Sequence, residues 1–134
     1  MDIKALDQDL TSLIEKKISL SKVDYSSEDY DELEEELHDQ EDDFLEKYGD
    51  YLEDAFHEVH DEFCPDTDVL LPIAYLPNDI TKTEEGYEVD FKEGVYVEVD
   101  DYPGKETKLV LLPQPTRIVL QVDQQNKETV WTAK

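Results

Sequence analysis

The chain has 134 residues and a formal net charge of −25, with 37 Asp and Glu residues against 12 Lys and Arg residues. A chain of this length buries about two thirds of its unfolded surface, which leaves room for one core, so we expect a single domain over residues 1–134. The negative charge repels nucleic acid and anionic lipid, which excludes direct nucleic-acid binding and attachment to a membrane and favours a basic protein as partner.

The first predicted element is a short amphipathic helix over residues 2–20. Its apolar residues recur every three or four positions, at Ile3, Leu6, Leu10, Leu13, Ile14, Ile18 and Leu20. Residues 21–25 then form a link short enough to predict that this helix pairs with the next one as an antiparallel helical hairpin.

The second predicted element is a long helix over about residues 27–63, with serines at its start and Pro65 just beyond its end. Its apolar residues fall within an arc of roughly 140° on a helical wheel, at Leu33, Leu37, Phe44, Leu45, Tyr48, Tyr51, Leu52, Ala55, Phe56, Val59 and Phe63. The helix would be about 55 Å long, so it either bends, with Gly49 as the expected point, or protrudes. Glu34 and Glu41 lie inside the apolar arc, which predicts that the first half is less buried than the second.

Most of the acidity lies on this second helix. Between Asp24 and Asp68 the chain has 21 acidic residues and one basic residue, Lys47, for a net charge of −20, whereas the other 89 residues hold 16 acidic and 11 basic residues, a net −5. Charge localised on one segment favours a local function over general solvation. Along the helix the charges are about 3.3 Å apart, close to the ~3.4 Å spacing of phosphates on one DNA strand, which is compatible with a nucleic-acid mimic.

Downstream of the long helix the pattern changes to that of β-strands. Residues 69–76 form an apolar run interrupted by Pro72, which predicts an edge strand or a bulged strand. Apolar and polar residues alternate over residues 87–91 and again over residues 95–99. These two segments predict a β-hairpin with a tight turn at residues 92–94.

Three more strands are predicted after a Tyr-Pro-Gly turn at residues 102–104. They cover residues 108–112, 116–122 and 128–132. Trp131, in the last of them, is interpreted as a packing residue of the core or of an edge strand.

The predicted fold class is α+β. An N-terminal antiparallel helical hairpin, residues 1–64, packs on a C-terminal antiparallel β-meander of about five to six strands, residues 68–134. The short connections between the strands favour antiparallel neighbours, and the hairpin, with its long acidic second helix, covers the apolar face of the sheet.

One cluster near the end of the long helix has the side chains of a metal site. On the helical wheel His57, His60 and Cys64 lie within roughly 60° of one another, together with Glu53 and outside the apolar arc. Imidazole and thiolate ligands fit Zn²⁺ better than Ca²⁺, so zinc is the candidate cofactor. The histidines are three positions apart rather than the four of H-E-x-x-H, and the alternative is that they are solvated side chains near carboxylates.

Signatures of enzymes are missing from the sequence. Its four glycines form neither a dinucleotide-binding pattern nor a P-loop, and no G-x-S-x-G occurs. Cys64 with His60 is a poor nucleophilic pair, because the acidic neighbours Glu62, Asp66 and Asp68 oppose the formation of a thiolate. No catalytic residue is therefore assigned, and no cofactor other than zinc is expected.

The acidic helix is the main functional lead. We expect a non-enzymatic cytoplasmic protein that binds a basic protein through this helix, as an inhibitor, an immunity protein or a nucleic-acid mimic. The cytoplasmic location follows from the single cysteine and from the absence of a signal peptide and of an apolar run of about 20 residues. The residues expected to contact the partner are Glu28, Asp31, Glu32, Glu35, Asp39, Asp42, Asp43 and Glu46. The alternatives are a small metal-binding protein or enzyme that uses His57, His60 and Cys64, and a homo-oligomeric structural subunit.

Overall fold

Two helices, a 3₁₀ helix and six strands follow one another along the computed structural model, which describes residues 1–84, 86–123 and 126–134. The helices are α1 (Ile3–Ser21) and α2 (Tyr30–Phe63), and the 3₁₀ helix is Pro72–Tyr75. The strands are β1 (Thr81–Thr83), β2 (Gly86–Glu88), β3 (Val95–Val97), β4 (Thr107–Leu112), β5 (Arg117–Val122) and β6 (Asn126–Thr132). The hairpin-like pair of helices and the antiparallel sheet confirm the predicted α+β fold. Among the described residues no helix is both long enough and apolar enough to cross a membrane.

The two helices begin in different ways. Asp2 caps α1, because its Oδ1 accepts a hydrogen bond from the Ala5 N–H at 3.0 Å. α2 begins at Tyr30, three residues later than predicted, because Ser27 closes a turn by donating its N–H to the Asp24 carbonyl at 2.9 Å. The connection between the helices is therefore longer than the predicted one.

α2 buries its second half much more than its first. In this fully described helix, the buried residues before residue 47 are Leu37 and Phe44 alone, whereas those after it are Tyr48, Gly49, Leu52, Ala55, Phe56, Val59 and His60. The first half is joined to α1 partly by an ion pair between Lys16 and Glu36, whose charged atoms are 2.9 Å apart. The predicted difference in burial between the two halves of the helix is confirmed.

β3 to β6 form one antiparallel sheet in the order β3-β4-β5-β6, and its two faces pack on different parts of the chain. Leu109 and Leu120 lie opposite each other on the inner face, which packs against the helices. Val110 and Val119 lie opposite each other on the outer face, where Val89 packs against them. Because both faces are covered, β4 and β5 are buried along most of their length.

Residues 69–76 do not form the predicted strand. Pro72 begins a 3₁₀ helix instead, because its ring fixes φ at a helical value and removes the N–H that a strand would use. The ring of Tyr75 in this helix stacks on Phe56 of α2, with ring centroids 3.9 Å apart and 16° between the ring planes. The apolar run therefore packs into the core and does not extend the sheet.

The predicted β-hairpin with a turn at residues 92–94 is wrong. β2 pairs with β1 in a separate two-stranded sheet, and β3 pairs with β4. The chain between β2 and β3, residues 89–94, is here called the outer segment, and it lies on the outer face of the sheet. Gln121 of β5 holds it there, because its side-chain amide donates to the Asp90 carbonyl at 3.3 Å and to the Glu93 carbonyl at 2.9 Å. The alternating pattern therefore reflects packing on a sheet, not strand pairing within a hairpin.

We expect Gly49 and Gly94 to respond in opposite ways to replacement by alanine. A Cβ at Gly49 would make an ordinary contact with Leu45 at 3.7 Å, so Gly49→Ala should raise the free energy of unfolding by about 0.5–1 kcal/mol through lower backbone entropy of the unfolded chain. Gly94 has a φ of 100°, and a Cβ there would lie 2.6 Å from the Leu109 carbonyl oxygen, so Gly94→Ala should lower that free energy by about 1–3 kcal/mol. Urea denaturation measures both changes, and a loss of stability in Gly49→Ala would contradict the packing of α2.

Candidate partner-binding surface

α2 presents a band of exposed carboxylates on the side that faces away from the core. The eight residues expected to contact a partner are all exposed, and together they are called the acidic surface: Glu28, Asp31, Glu32, Glu35, Asp39, Asp42, Asp43 and Glu46. Seven of them lie on α2, and Glu28 lies in the turn before it. At 100° per residue they fall within an arc of about 120°, roughly opposite the buried stripe. The packing of the helix therefore sets the direction in which these carboxylates point.

The eight carboxylates of the acidic surface have no cationic partner among the residues that the structure describes. Three other acidic residues on α2 are used in contacts within the chain. Glu36 pairs with Lys16 of α1, and His38 lies 3.3 Å from Glu41 and 3.7 Å from Glu34. The charge of the acidic surface is therefore left to solvent or to a binding partner.

The spacing of these acidic residues makes the surface electrostatically unfavourable for the isolated chain. Asp31, Glu35, Asp39 and Asp43 follow one another at intervals of four residues, so each lies one helical turn from the next. Each such pair of like charges destabilises a helix by about 0.2–0.5 kcal/mol, and salt or a bound cation reduces that repulsion. A cationic partner would therefore gain binding energy from relieving the repulsion as well as from direct attraction.

The three residues predicted as metal ligands lie in different environments. His60 is buried with 2% of its surface exposed, Cys64 is fully buried, and His57 is exposed. In the described part of the chain no group of three or more His, Cys, Asp or Glu side chains could hold a metal ion, so the three residues are not brought together as a site. The helical wheel placed His60 outside the buried arc, but the chain after α2 folds back over it.

His60 is held by hydrogen bonds at both ring nitrogens. Its Nδ1 lies 2.9 Å from the Thr67 carbonyl oxygen, which can only accept, so Nδ1 carries the proton. Its Nε2, 3.0 Å from the Tyr75 hydroxyl, then accepts from that hydroxyl, while the Tyr75 oxygen accepts from the Leu70 N–H at 3.0 Å. Burial raises the pKa of Tyr75, which keeps its hydroxyl protonated and able to donate. The sequence did not indicate this role of Tyr75, because the apolar run over residues 69–76 predicts a strand.

Cys64 is a buried thiol that stays protonated at neutral pH. Burial, and to a lesser extent the nearby charge of Asp100, raises the pKa of its thiol to about 11. A thiol with that pKa is almost entirely protonated at neutral pH, which makes it a poor nucleophile. The sequence also predicts a suppressed thiolate, but from the acidic residues next to Cys64 in the chain and not from burial.

Comparisons of this chain with protein-family models, with curated proteins and with solved structures find no match.

We expect Tyr75→Phe to lower the free energy of unfolding by about 1–3 kcal/mol. The change keeps the ring that stacks on Phe56 but removes the hydroxyl, which leaves His60 Nε2 and the Leu70 N–H without a hydrogen-bond partner. Tyr96→Phe is the matched control, because Tyr96 is 54% exposed, and we expect a change below about 0.5 kcal/mol. Equal effects of the two substitutions in urea denaturation would contradict the hydrogen-bond network.

We expect Cys64 to resist alkylation in the folded protein. At about pH 8, iodoacetamide should react with it on the order of 100-fold more slowly in the native chain than in urea-denatured chain, because the raised pKa leaves little thiolate. Mass spectrometry over a time course measures both rates. Comparable rates in the two states would contradict the burial of the thiol.

Proposed function

We propose that the protein is a non-enzymatic interaction protein that binds a basic protein through the acidic surface. It would act as an inhibitor, an immunity protein or a nucleic-acid mimic, which are roles in which an acidic surface occupies the cationic site of another molecule. The proposal also places the protein in the cytoplasm, as expected for a chain with one cysteine.

One observation supports this proposal above the others. The eight carboxylates are exposed, they lie on one side of an element whose other side is packed in the core, and they form no ion pair within the described residues. Because the helix is already ordered, a partner that binds there does not have to organise the backbone that carries the charges. Such a surface favours fast, salt-sensitive association with a basic protein.

The two alternative functions receive less support from the side-chain environments. We propose no metal-dependent function, because both ring nitrogens of His60 are hydrogen-bonded and, among the described residues, His57, His60 and Cys64 do not form a group that could hold a metal ion. The homo-oligomeric subunit stays a prediction, and association of two copies through the acidic surface is opposed by like charge.

The test compares two variants that raise the formal net charge of −25 by the same four charges. The helix variant carries four substitutions in the acidic surface: Asp31→Asn, Glu35→Gln, Asp39→Asn and Asp42→Asn. The control variant carries four substitutions at exposed acids outside α2: Glu98→Gln, Asp100→Asn, Asp101→Asn and Glu128→Gln. Each protein is immobilised, exposed to lysate of the source organism at low salt, and eluted in steps of rising salt.

We expect a basic protein to bind the parent chain and the control variant, and to elute from both as the salt concentration rises. Once that protein is purified, it should bind the helix variant with a dissociation constant about tenfold or more larger than that for the control variant. Retention of the same proteins by all three forms, or affinity that does not fall with salt, would contradict the proposal.

A further inference from the structure

A groove of about 450 Å³ lies between α2 and β6, on a different flank of the helix from the acidic surface. Tyr51 and Glu58 of α2 line one side, and Trp131 of β6 lines the other. It is called the aromatic groove. Its volume lies in the range of pockets that take a small molecule or a large side chain.

The two aromatic rings of the groove are fixed in place. Tyr51 and Trp131 meet edge to face, with ring centroids 5.8 Å apart and 61° between the planes, and both rings pack partly against the main core. The Tyr51 hydroxyl donates to the Lys134 carbonyl and accepts from the Lys134 N–H, both at 3.2 Å. The Ala133 N–H donates to the Thr116 carbonyl at 2.9 Å, which ties the same stretch of chain to the start of β5. An edge-to-face pair leaves part of a ring face open, so the groove offers a rigid aromatic surface.

The charges around the aromatic groove are negative on the α2 side. Glu58 lines it, and Asp54 and Glu62, one turn before and one turn after Glu58, are exposed on the same flank of the helix. Lys134 also lines the groove, but the ion pairs of the described residues do not include one between its side chain and Glu58. Within the described residues the one cation over an aromatic ring is Lys108 over Phe91, on another part of the chain. The combination of open ring faces with an unpaired carboxylate is complementary to a cation that can also stack.

We propose that the aromatic groove receives an arginine side chain of the basic partner, with the guanidinium against the Tyr51 and Trp131 rings and bonded to the Glu58 carboxylate. This inference rests on the proposed function and adds the side chain that the partner inserts. Arginine fits better than lysine because its guanidinium is planar, is weakly hydrated, stacks on aromatic rings and can make two parallel bonds to one carboxylate.

The test uses the full chain with two peptides of equal charge, octa-arginine and octa-lysine, at one low salt concentration. Trp131 is the only tryptophan of the chain, so its fluorescence reports directly on the groove, while isothermal titration calorimetry reports binding anywhere on the protein. We expect octa-arginine to change the Trp131 emission and to bind about 3–10-fold more tightly than octa-lysine. We expect octa-lysine to bind with a much smaller change in emission.

Matched single substitutions then locate the contact. Glu58→Gln should weaken octa-arginine binding by about 3–10-fold, whereas Asp101→Asn, which removes one exposed charge outside α2, should weaken it by less than about twofold. Trp131→Leu should remove most of the preference for arginine over lysine, with circular dichroism confirming that the variant is folded. Because Glu58 is exposed, Glu58→Gln tests the groove even if the core does not tolerate the change at Trp131.

The outcomes separate this inference from the proposed function. Binding detected by calorimetry with equal affinity for the two peptides and unchanged Trp131 emission would overturn the aromatic groove as the arginine site, while leaving the acidic surface as the binding surface. Equal effects of Glu58→Gln and Asp101→Asn would also overturn it. Absence of binding by either peptide at low salt would overturn both proposals.

Discussion

The burial of one apolar stripe of α2 is the interaction on which the rest of the structure depends. The helix carries 16 acidic residues and one lysine, so repulsion within it favours the unfolded chain. Burial of a side chain such as Leu52 or Phe56 contributes about 1.5–3 kcal/mol, which outweighs several like-charge pairs at a few tenths of a kcal/mol each. Phe56 also stacks on Tyr75, whose hydroxyl holds His60, so the same stripe organises the chain that follows the helix.

The chain has 12 basic residues, and some of them are used away from the acidic surface. Three of them, Arg117, Lys108 and Lys127, lie on the sheet and donate to backbone carbonyl groups at or near the outer segment. Arg117 donates to the Tyr87 carbonyl at 3.1 Å, and Lys108 also lies over the Phe91 ring at 5.3 Å from its centroid. These cations hold the outer face of the sheet together and do not neutralise α2. The cations that stabilise the sheet are therefore not the partners of the acidic surface.

The sequence predicted those features that depend on local periodicity, and it failed where partners are distant in the chain. The 3.6-residue period of α1 and α2 and the exposure of the acidic surface follow from the order of residues alone. The placement of the outer segment and the burial of His60 do not follow from it. The outer segment is held by Gln121, and His60 is covered by Tyr75 of the 3₁₀ helix, and these contacts join residues that are distant in the chain. Trp131 was correctly placed beside the core, but the sequence could not show that Tyr51 and Glu58 lie across a groove from it.

The acidic surface and the aromatic groove lie on flanks of α2 that are separated by roughly 120° around the helix axis. A flat partner surface that covers one flank would not reach the other, so a partner that uses both must wrap the helix with a loop or an extended basic segment. The two sites would then contribute to different steps of binding. Attraction between the exposed carboxylates and a basic partner accelerates the encounter and makes it salt-dependent, whereas a side chain seated between fixed rings mainly slows dissociation. Under this division, salt would change the association rate most, and the arginine contact at Glu58 and Trp131 would set how long the complex lasts.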